Sequence, residues 1–212
     1  MTLNLKSQNQ KNLLLIFTRN PELGKCKTRL AAKVGDQTAL EIYTFLLAHT
    51  HAITKEAKAT KEVHYSEEIW DDDIWEPAHY HKKIQSGGDL GERMSKAFSD
   101  GFEAGYKNII IIGSDMYDLS TADLNTAFQE LDKKPFVIGP AEDGGYYLLG
   151  MSKMNSGLFK NKAWGTDTVL KDSLNDLSNE DVKLLKIKND VDHYEDIQHI
   201  KAFEPFLKKL KI

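Results

Sequence analysis

The chain has 212 residues, enough for one domain with a substantial core, and its 41% hydrophobic and 28% charged residues are ordinary for a globular protein. With 28 basic and 32 acidic residues the net charge is −4, which excludes a dedicated nucleic-acid surface but leaves room for a local basic pocket. A single cysteine, Cys26, excludes an intramolecular disulfide and fits a reducing compartment.

The polar residues 1–12 read as a flexible leader, and residues 13–212 as a single domain. The apolar run Leu13 to Phe17 is too short for a signal-peptide core or a membrane span, so the expected location is cytoplasmic with no membrane partner. Leu13 to Thr18 is predicted as a strand buried on both faces, hence central in a parallel sheet. The loop after it, RNPELGKCKTRL, breaks at Asn20-Pro21 and turns at Gly24, with Lys25, Lys27 and Arg29 alternating between Cys26 and Thr28. Cations and a flexible glycine between a strand and a helix suit a polyphosphate; the plainer reading is a solvated basic turn. It is not a Walker A loop, which needs glycine where Arg19 stands. Cys26 reads as a packing residue rather than a reactive thiol.

Asp36 is expected to cap a long buried helix, Gln37 to Thr54. His49 and His51 near its end point in different directions and do not form a metal pair. Glu62 to Ser66 reads as a strand. Residues 67–80 are acidic with two tryptophans, and Asp71, Asp72 and Asp73 read as a solvated loop. A short strand, Lys82 to Gln85, leads into SGGDLGERM. There Asp89 and Glu92 suit the first turn of a helix that ends at Gly105. Arg93 either reaches a phosphate or base, or pairs with Glu92 or Asp89.

Asn108 opens the apolar run Ile109 to Ile112, which reads as the central strand. It delivers Ser114 and Asp115 to a strand's carboxyl end, where ligands gather in open α/β sheets. Ser120 and Asp123 predict a capping box for the next helix. Phe136 to Ile138 and Tyr146 to Met151 read as strands joined through Glu142-Asp143-Gly144-Gly145. That junction is either a plain turn or a place where backbone approaches a sugar or nucleotide. In WGTDTVL, Thr166 or Asp167 is expected to cap a helix, and Trp164 is either core or a stacking surface. Val182 to Ile187 is predicted as a late strand that runs into Asn189-Asp190-Val191-Asp192. A last helix is expected from His193, interrupted at Pro205.

The segments NPELGKCKTRL, GGDLGERM, IIIIGSDMYDLS, GPAEDGGYYLLGM, WGT and DVDHYEDI occur in that order. Together they resemble the GT-A-fold family known as domain of unknown function 2064, glycosyltransferase-like proteins of the arsenosugar-biosynthesis-associated type, over about residues 13 to 200. The resemblance implies an α/β, three-layer αβα nucleotide-diphospho-sugar transferase fold with a mostly parallel, mixed central sheet. The KTRL segment is also similar to phospholactate guanylyltransferases, which share the fold but transfer a nucleotide. What the resemblance implies for the site is a nucleotide and phosphate set of Thr18, Arg19, Gly24, Lys25, Lys27, Arg29, Asp89, Arg93 and Ser114. Metal ligands would be Asp115 and Asp192, holding Mg²⁺ or Mn²⁺. Asp143 would join Asp115 as a catalytic acid or base, and Gly144, Gly145, Trp164 and Thr166 would face the sugar or acceptor. One departure stands out: the family reads Ser-Asp-Cys-Pro, and here Ser114-Asp115 precede Met116-Tyr117.

The expected function is metal-dependent transfer from a nucleotide-diphospho-sugar, a small-molecule substrate. The alternatives are guanylyltransferase-like nucleotidyl transfer to a small phosphorylated or sugar acceptor, and an inactive nucleotide-binding relative.

Overall fold

The computed structural model describes residues 11–210, so most of the expected leader, residues 1–10, lies outside the described residues. Seven strands form one mixed sheet in the order β3-β2-β1-β4-β6-β5-β7. They are β1 (Asn12–Thr18), β2 (Thr60–Tyr65), β3 (His81–Ile84), β4 (Asn108–Gly113), β5 (Phe136–Pro140), β6 (Tyr146–Met151) and β7 (Val182–Leu184). β1, β2, β3 and β4 pair in parallel, β5 pairs with β7 in parallel, and β6 runs antiparallel to both its neighbours.

Two apolar layers sandwich this sheet because β1 and β4 are apolar on both faces, with Leu13 to Ile16 and Ile109 to Ile112 all buried. On one side Leu14, Ile16, Ile110 and Ile112 pack under α2 (Asp36–Lys55) and α4 (Thr121–Leu131). On the other, Leu13, Leu15, Ile109 and Ile111 meet α3 (Leu90–Glu103) and the region around α5 (Val169–Asp176). Each such side chain withdrawn from water contributes about 1.5–3 kcal/mol before ordering costs. The three-layer αβα arrangement follows. A third cluster joins α1 (Thr28–Val34) and α2 to the C-terminal segment through Leu30, Ile42, Val191 and Phe203.

Several boundaries differ from the sequence reading. α2 begins at Asp36 itself, after Gly35 at φ +81°, and no side chain caps it. α5 starts at Val169 after Thr168, so neither Thr166 nor Asp167 caps it. β7 ends at Leu184, and pairing resumes only at an isolated bridge between Ala141 and Lys188. The expected last helix is broken into 3₁₀ turns at Tyr194–Asp196 and Lys201–Phe203, followed by α6 (Glu204–Leu207). Pro205 starts that helix instead of interrupting it, because a first-turn residue needs no backbone donor. The Ser120–Asp123 capping box is present as expected. Among the described residues no helix is long and apolar enough to cross a membrane.

Candidate functional site

The ends of β1, β4, β5 and β7 and the start of β6 open on one rim of the sheet, and two adjoining cavities occupy it. The larger, about 710 Å³, lies over β1 and β4 and is lined by Arg19, Lys25, Lys27, Arg29 and Arg93 among others. The smaller, about 250 Å³, lies toward the β5–β6 turn and α5. Phe17, Leu90, Gly113, Asp115 and Gly165 line both, so the cavities meet at Asp115.

Lys27 ties this rim together. Its Nζ donates to Asp115 Oδ2 at 2.7 Å and to Asp192 Oδ1 at 2.8 Å, bridging residues 88 and 165 positions away in sequence. Arg29 adds a bond to Asp192 Oδ2 at 3.1 Å. The Lys27 side chain is only 4% exposed. Burial alone would lower its pKa, but Asp115 and then Asp192 outweigh it and hold the ammonium charged above its ordinary range. Asp192 answers in kind: burial would raise its carboxyl, but Lys27 and Arg29 pull it below the usual value. To reach this position Lys27 adopts φ +50° just before α1, a left-handed conformation that costs a non-glycine residue energy. Such strain persists where the surroundings impose it, and it is concentrated at functional positions.

Beneath the larger cavity a buried hydroxyl network fixes the two strand ends. Ser114 Oγ donates to Thr18 Oγ1 at 3.0 Å, and Tyr43 from α2 lies 3.2 Å from Ser114 Oγ. The Tyr43 hydroxyl also accepts from the Arg19 backbone N–H at 3.0 Å. Thr18 and Ser114 thus brace the loops, while the Arg19 side chain is exposed toward the cavity. Lys25 lines the same cavity but is shared with Glu22 and Glu67. Asp89 spends its carboxylate on the Glu92 N–H as the cap of α3. Arg93 pairs with neither Glu92 nor Asp89. It donates to the Gly87 carbonyl at 3.1 Å, which turns it along the cavity wall. Gly24, at φ +75°, shapes the basic loop without lining either cavity.

Around the smaller cavity, Asp143 accepts from the Gly145 N–H within the β5–β6 turn at 2.8 Å. Gly144 does not line the cavity. At φ +88° it lets the Asp167 backbone approach so closely that an added Cβ would lie 2.3 Å from the Asp167 carbonyl oxygen. Gly145, Trp164 and Thr166 do line it. Trp164 is both core and wall: it packs in the apolar cluster under α3, where Gly91 leaves room for its indole. Asp190 lies here too, and its carboxyl is pushed up to about 6, first by burial and then by Asp143, Asp192 and Asp115. Asp190 and Tyr43 are absent from the sequence-based candidate set. Asp190 had a signal, being two positions from Asp192 in an extended run. The link from Tyr43 to Ser114 spans 71 positions, and no pattern announces it.

Cys26 is buried and its thiol pKa is raised by burial, as befits a packing residue. His49 and His51 diverge, bonding the Leu119 carbonyl and Glu76. Asp73 accepts from Tyr65 and Lys82, so the acidic loop is anchored to the sheet edge. Met116 is buried, and Tyr117 packs at a tilt against Phe45 and His49 and edge-on against Phe203. Met116 and Tyr117, which stand where the resemblance leads one to expect Cys-Pro, therefore pack with the hydrophobic clusters.

The Lys27 ammonium bridges Asp115 and Asp192, and the hard oxygens of these carboxylates are of the kind that suit Mg²⁺ or Mn²⁺. No group of three acidic, histidine or cysteine side chains among the described residues forms a ready-made metal cage. The pair therefore fits a cation that brings phosphate oxygens and waters as its remaining ligands.

The mixed seven-stranded sheet with helices on both faces is a nucleotide-diphospho-sugar transferase fold. A family model described as "Uncharacterized protein conserved in bacteria (DUF2064)" matches residues 46–166, more than half of the chain. The chain belongs to that family. Among solved structures it is similar to a "putative nucleotide-diphospho-sugar transferase" from Desulfovibrio desulfuricans, with 28% identity, 94% of each chain covered and a TM-score of 0.84. It also resembles a 4-diphosphocytidyl-2C-methyl-D-erythritol synthase from Anaerococcus prevotii (12% identity, 96% of this chain and 99% of that one, TM-score 0.59). A further likeness is to Rv0371c from Mycobacterium tuberculosis, solved with manganese (12% identity, 94% of this chain and 100% of that one, TM-score 0.55). The last two show the fold alone. No curated protein matches the chain.

Proposed function

We propose that the protein transfers a sugar from a nucleotide-diphospho-sugar, with a divalent metal accompanying the diphosphate. The observation that carries this reading is the meeting of Lys27 and Arg29 with Asp115 and Asp192 at the mouth of a cleft lined by five basic side chains. A similar protein with the same fold bears the name of a nucleotide-diphospho-sugar transferase, and a more distant one was solved with manganese; both support the reading.

In this proposal Arg19, Lys25, Arg29 and Arg93 bind the phosphates, and the apolar body of Phe17 and Leu90 excludes water from the junction of the cavities. Asp115 and Asp192 would hold the cation, which when bound offsets charge on the departing diphosphate. The bond from the anomeric carbon to the diphosphate oxygen breaks, and its electrons leave with the nucleoside diphosphate. An acceptor hydroxyl forms the new bond to that carbon, and Asp143 orients the hydroxyl or takes its proton.

Nucleotidyl transfer is the second reading, favoured by a basic lining ample enough for a triphosphate. The released product separates the two: nucleoside diphosphate supports glycosyl transfer, pyrophosphate supports nucleotidyl transfer. Binding without either product would identify a nucleotide-binding relative. Asp115→Ala should lower turnover by about 10²–10³-fold, the range for losing one preorganised electrostatic group. It should also abolish the Mn²⁺-dependent part of the nucleotide-induced thermal shift. A shift that survives unchanged refutes the metal assignment.

A further inference from the structure

The two cavities differ in charge as well as in size. The lining of the smaller one includes three carboxylates, Asp115, Asp143 and Asp190, and no lysine, arginine or histidine. The rest of its wall is largely apolar and aromatic, with Met94, Ile111, Tyr146, Tyr147, Trp164 and Val169. Tyr146 contributes its ring to this wall, while its hydroxyl is buried with no hydrogen-bond partner among the described residues. The Lys27 ammonium lines the larger cavity and offsets Asp115, to which it is bonded, leaving Asp143 and Asp190 as the cavity's carboxylates that it does not touch.

We propose that this smaller cavity is the acceptor subsite and that it selects an uncharged or cationic hydroxyl compound with a compact apolar body, rejecting phosphorylated and carboxylated acceptors. The acceptor role rests on the transferase reading above; the charge preference rests on the cavity itself. An anion entering it would face Asp143 and Asp190, with Asp115 offset by Lys27, in a partly desolvated space where charge repulsion is poorly screened. A cation meets the carboxylates within a wall that includes the aromatic rings of Tyr146, Tyr147 and Trp164. A neutral alcohol gains apolar contact and carries no charge for the carboxylates to repel. The cavity's volume of about 250 Å³ limits the acceptor's buried part to one small ring or its equivalent. Its opening at Asp115 brings that part beside the donor's phosphate end.

The test uses three probes of matched shape: 2-phenylethanol, 2-phenylethylamine and phenyl phosphate. Their binding is followed by ligand-observed NMR on protein whose large cleft is saturated with a nucleoside diphosphate, which keeps phenyl phosphate out of the basic side. The alcohol and the amine should bind at least tenfold more tightly than phenyl phosphate. Thr166→Lys, an exposed position on the cavity lining, should reduce or reverse that order. Phenyl phosphate binding the native protein as tightly as the amine overturns the proposal, as does failure of all three probes to bind. If no nucleotide binds, the transferase reading fails separately. The amine alone then judges the cavity: weakening by Thr166→Lys sustains the charge preference, and indifference to that change overturns it.

Discussion

The sheet has two wings that handle charge in opposite ways. In the parallel wing of β3, β2, β1 and β4, the loop after β1 carries Arg19, Lys25 and Lys27, and the first turns of α1 and α3 carry Arg29 and Arg93, toward a large open cleft. In the wing of β6, β5 and β7, where β6 reverses direction, the β5–β6 turn and the segment after β7 carry Asp143, Asp190 and Asp192. Asp115, after β4, stands at the seam, and Lys27 crosses it to reach carboxylates on both sides. A parallel strand end leads into a loop and then a helix, which gives room for flexible cations. A hairpin turn is tighter and holds a carboxylate close to its own backbone, as Asp143 is held by Gly145. Under the proposed function this difference is a division of labour, one wing receiving the phosphates and the other the group that reacts with them.

The largest disturbance of this comparison is expected from Lys27→Met. It removes the cation that crosses the seam and leaves Asp115 and Asp192 facing Asp190 and Asp143. Losing one member of such a cluster costs about 2–3 kcal/mol once the partial exposure of the carboxylates is allowed for. For a chain this long that is a melting temperature lower by roughly 5–10 °C. Mn²⁺ together with a nucleoside diphosphate should restore part of the loss; a drop below about 2 °C would show that the seam does not depend on Lys27. Gly144→Ala is expected next in size. It puts a side chain into a left-handed position and against the Asp167 backbone, so it should cost about 2 kcal/mol in urea unfolding. Gly145→Ala meets only the Asp143 side chain, at 3.2 Å, and should cost less than about 1 kcal/mol. Equal costs at the two glycines would mean that the Asp167 segment yields easily.

Much of the parallel wing was legible because its signals are local. The runs Leu13 to Phe17 and Ile109 to Ile112 are too short for helices, the second is β-branched throughout, and both are central strands. The Ser120–Asp123 capping box lies within four residues and forms as the pattern implies. The candidates Lys27, Arg29, Asp115 and Asp192 do meet, although the sequence could place them only at strand ends and not at one seam. What local pattern could not convey was tertiary commitment. Nothing around Asp89 distinguishes a capping carboxylate from a ligand-binding one, and Gly144 reads the same whether it faces a sugar or a neighbouring loop. The C-terminal segment forms 3₁₀ turns where a helix from His193 to Pro205 is expected, because its apolar residues serve a third cluster formed with α1 and α2. Its shape follows that surface rather than a regular period.

Two smaller predictions sharpen the contrast between the wings. Asp190 lies among like charges with no cation of its own, so Asp190→Asn should stabilise the metal-free protein at neutral pH. The gain should be about 1 kcal/mol after solvent screening, or a melting temperature higher by roughly 2–4 °C. A lower melting temperature would show that Asp190 is already compensated. Glu62, in the parallel wing, is the opposite case: it is buried and bonded to His64 and Lys83. Burial alone would raise its carboxyl, but His64 and Lys83 outweigh that and hold it below its ordinary value of 4.5. A depressed acid stabilises the fold at pH values above 4.5, and that contribution is lost as pH falls through the folded value. Glu62→Gln should therefore cost less than about 1 kcal/mol at neutral pH, as expected for a few bonds on a partly open edge. The gap between wild type and variant should close on acidification below 4.5; a gap that stays constant with pH would mean that the glutamate acts through packing and not through its charge.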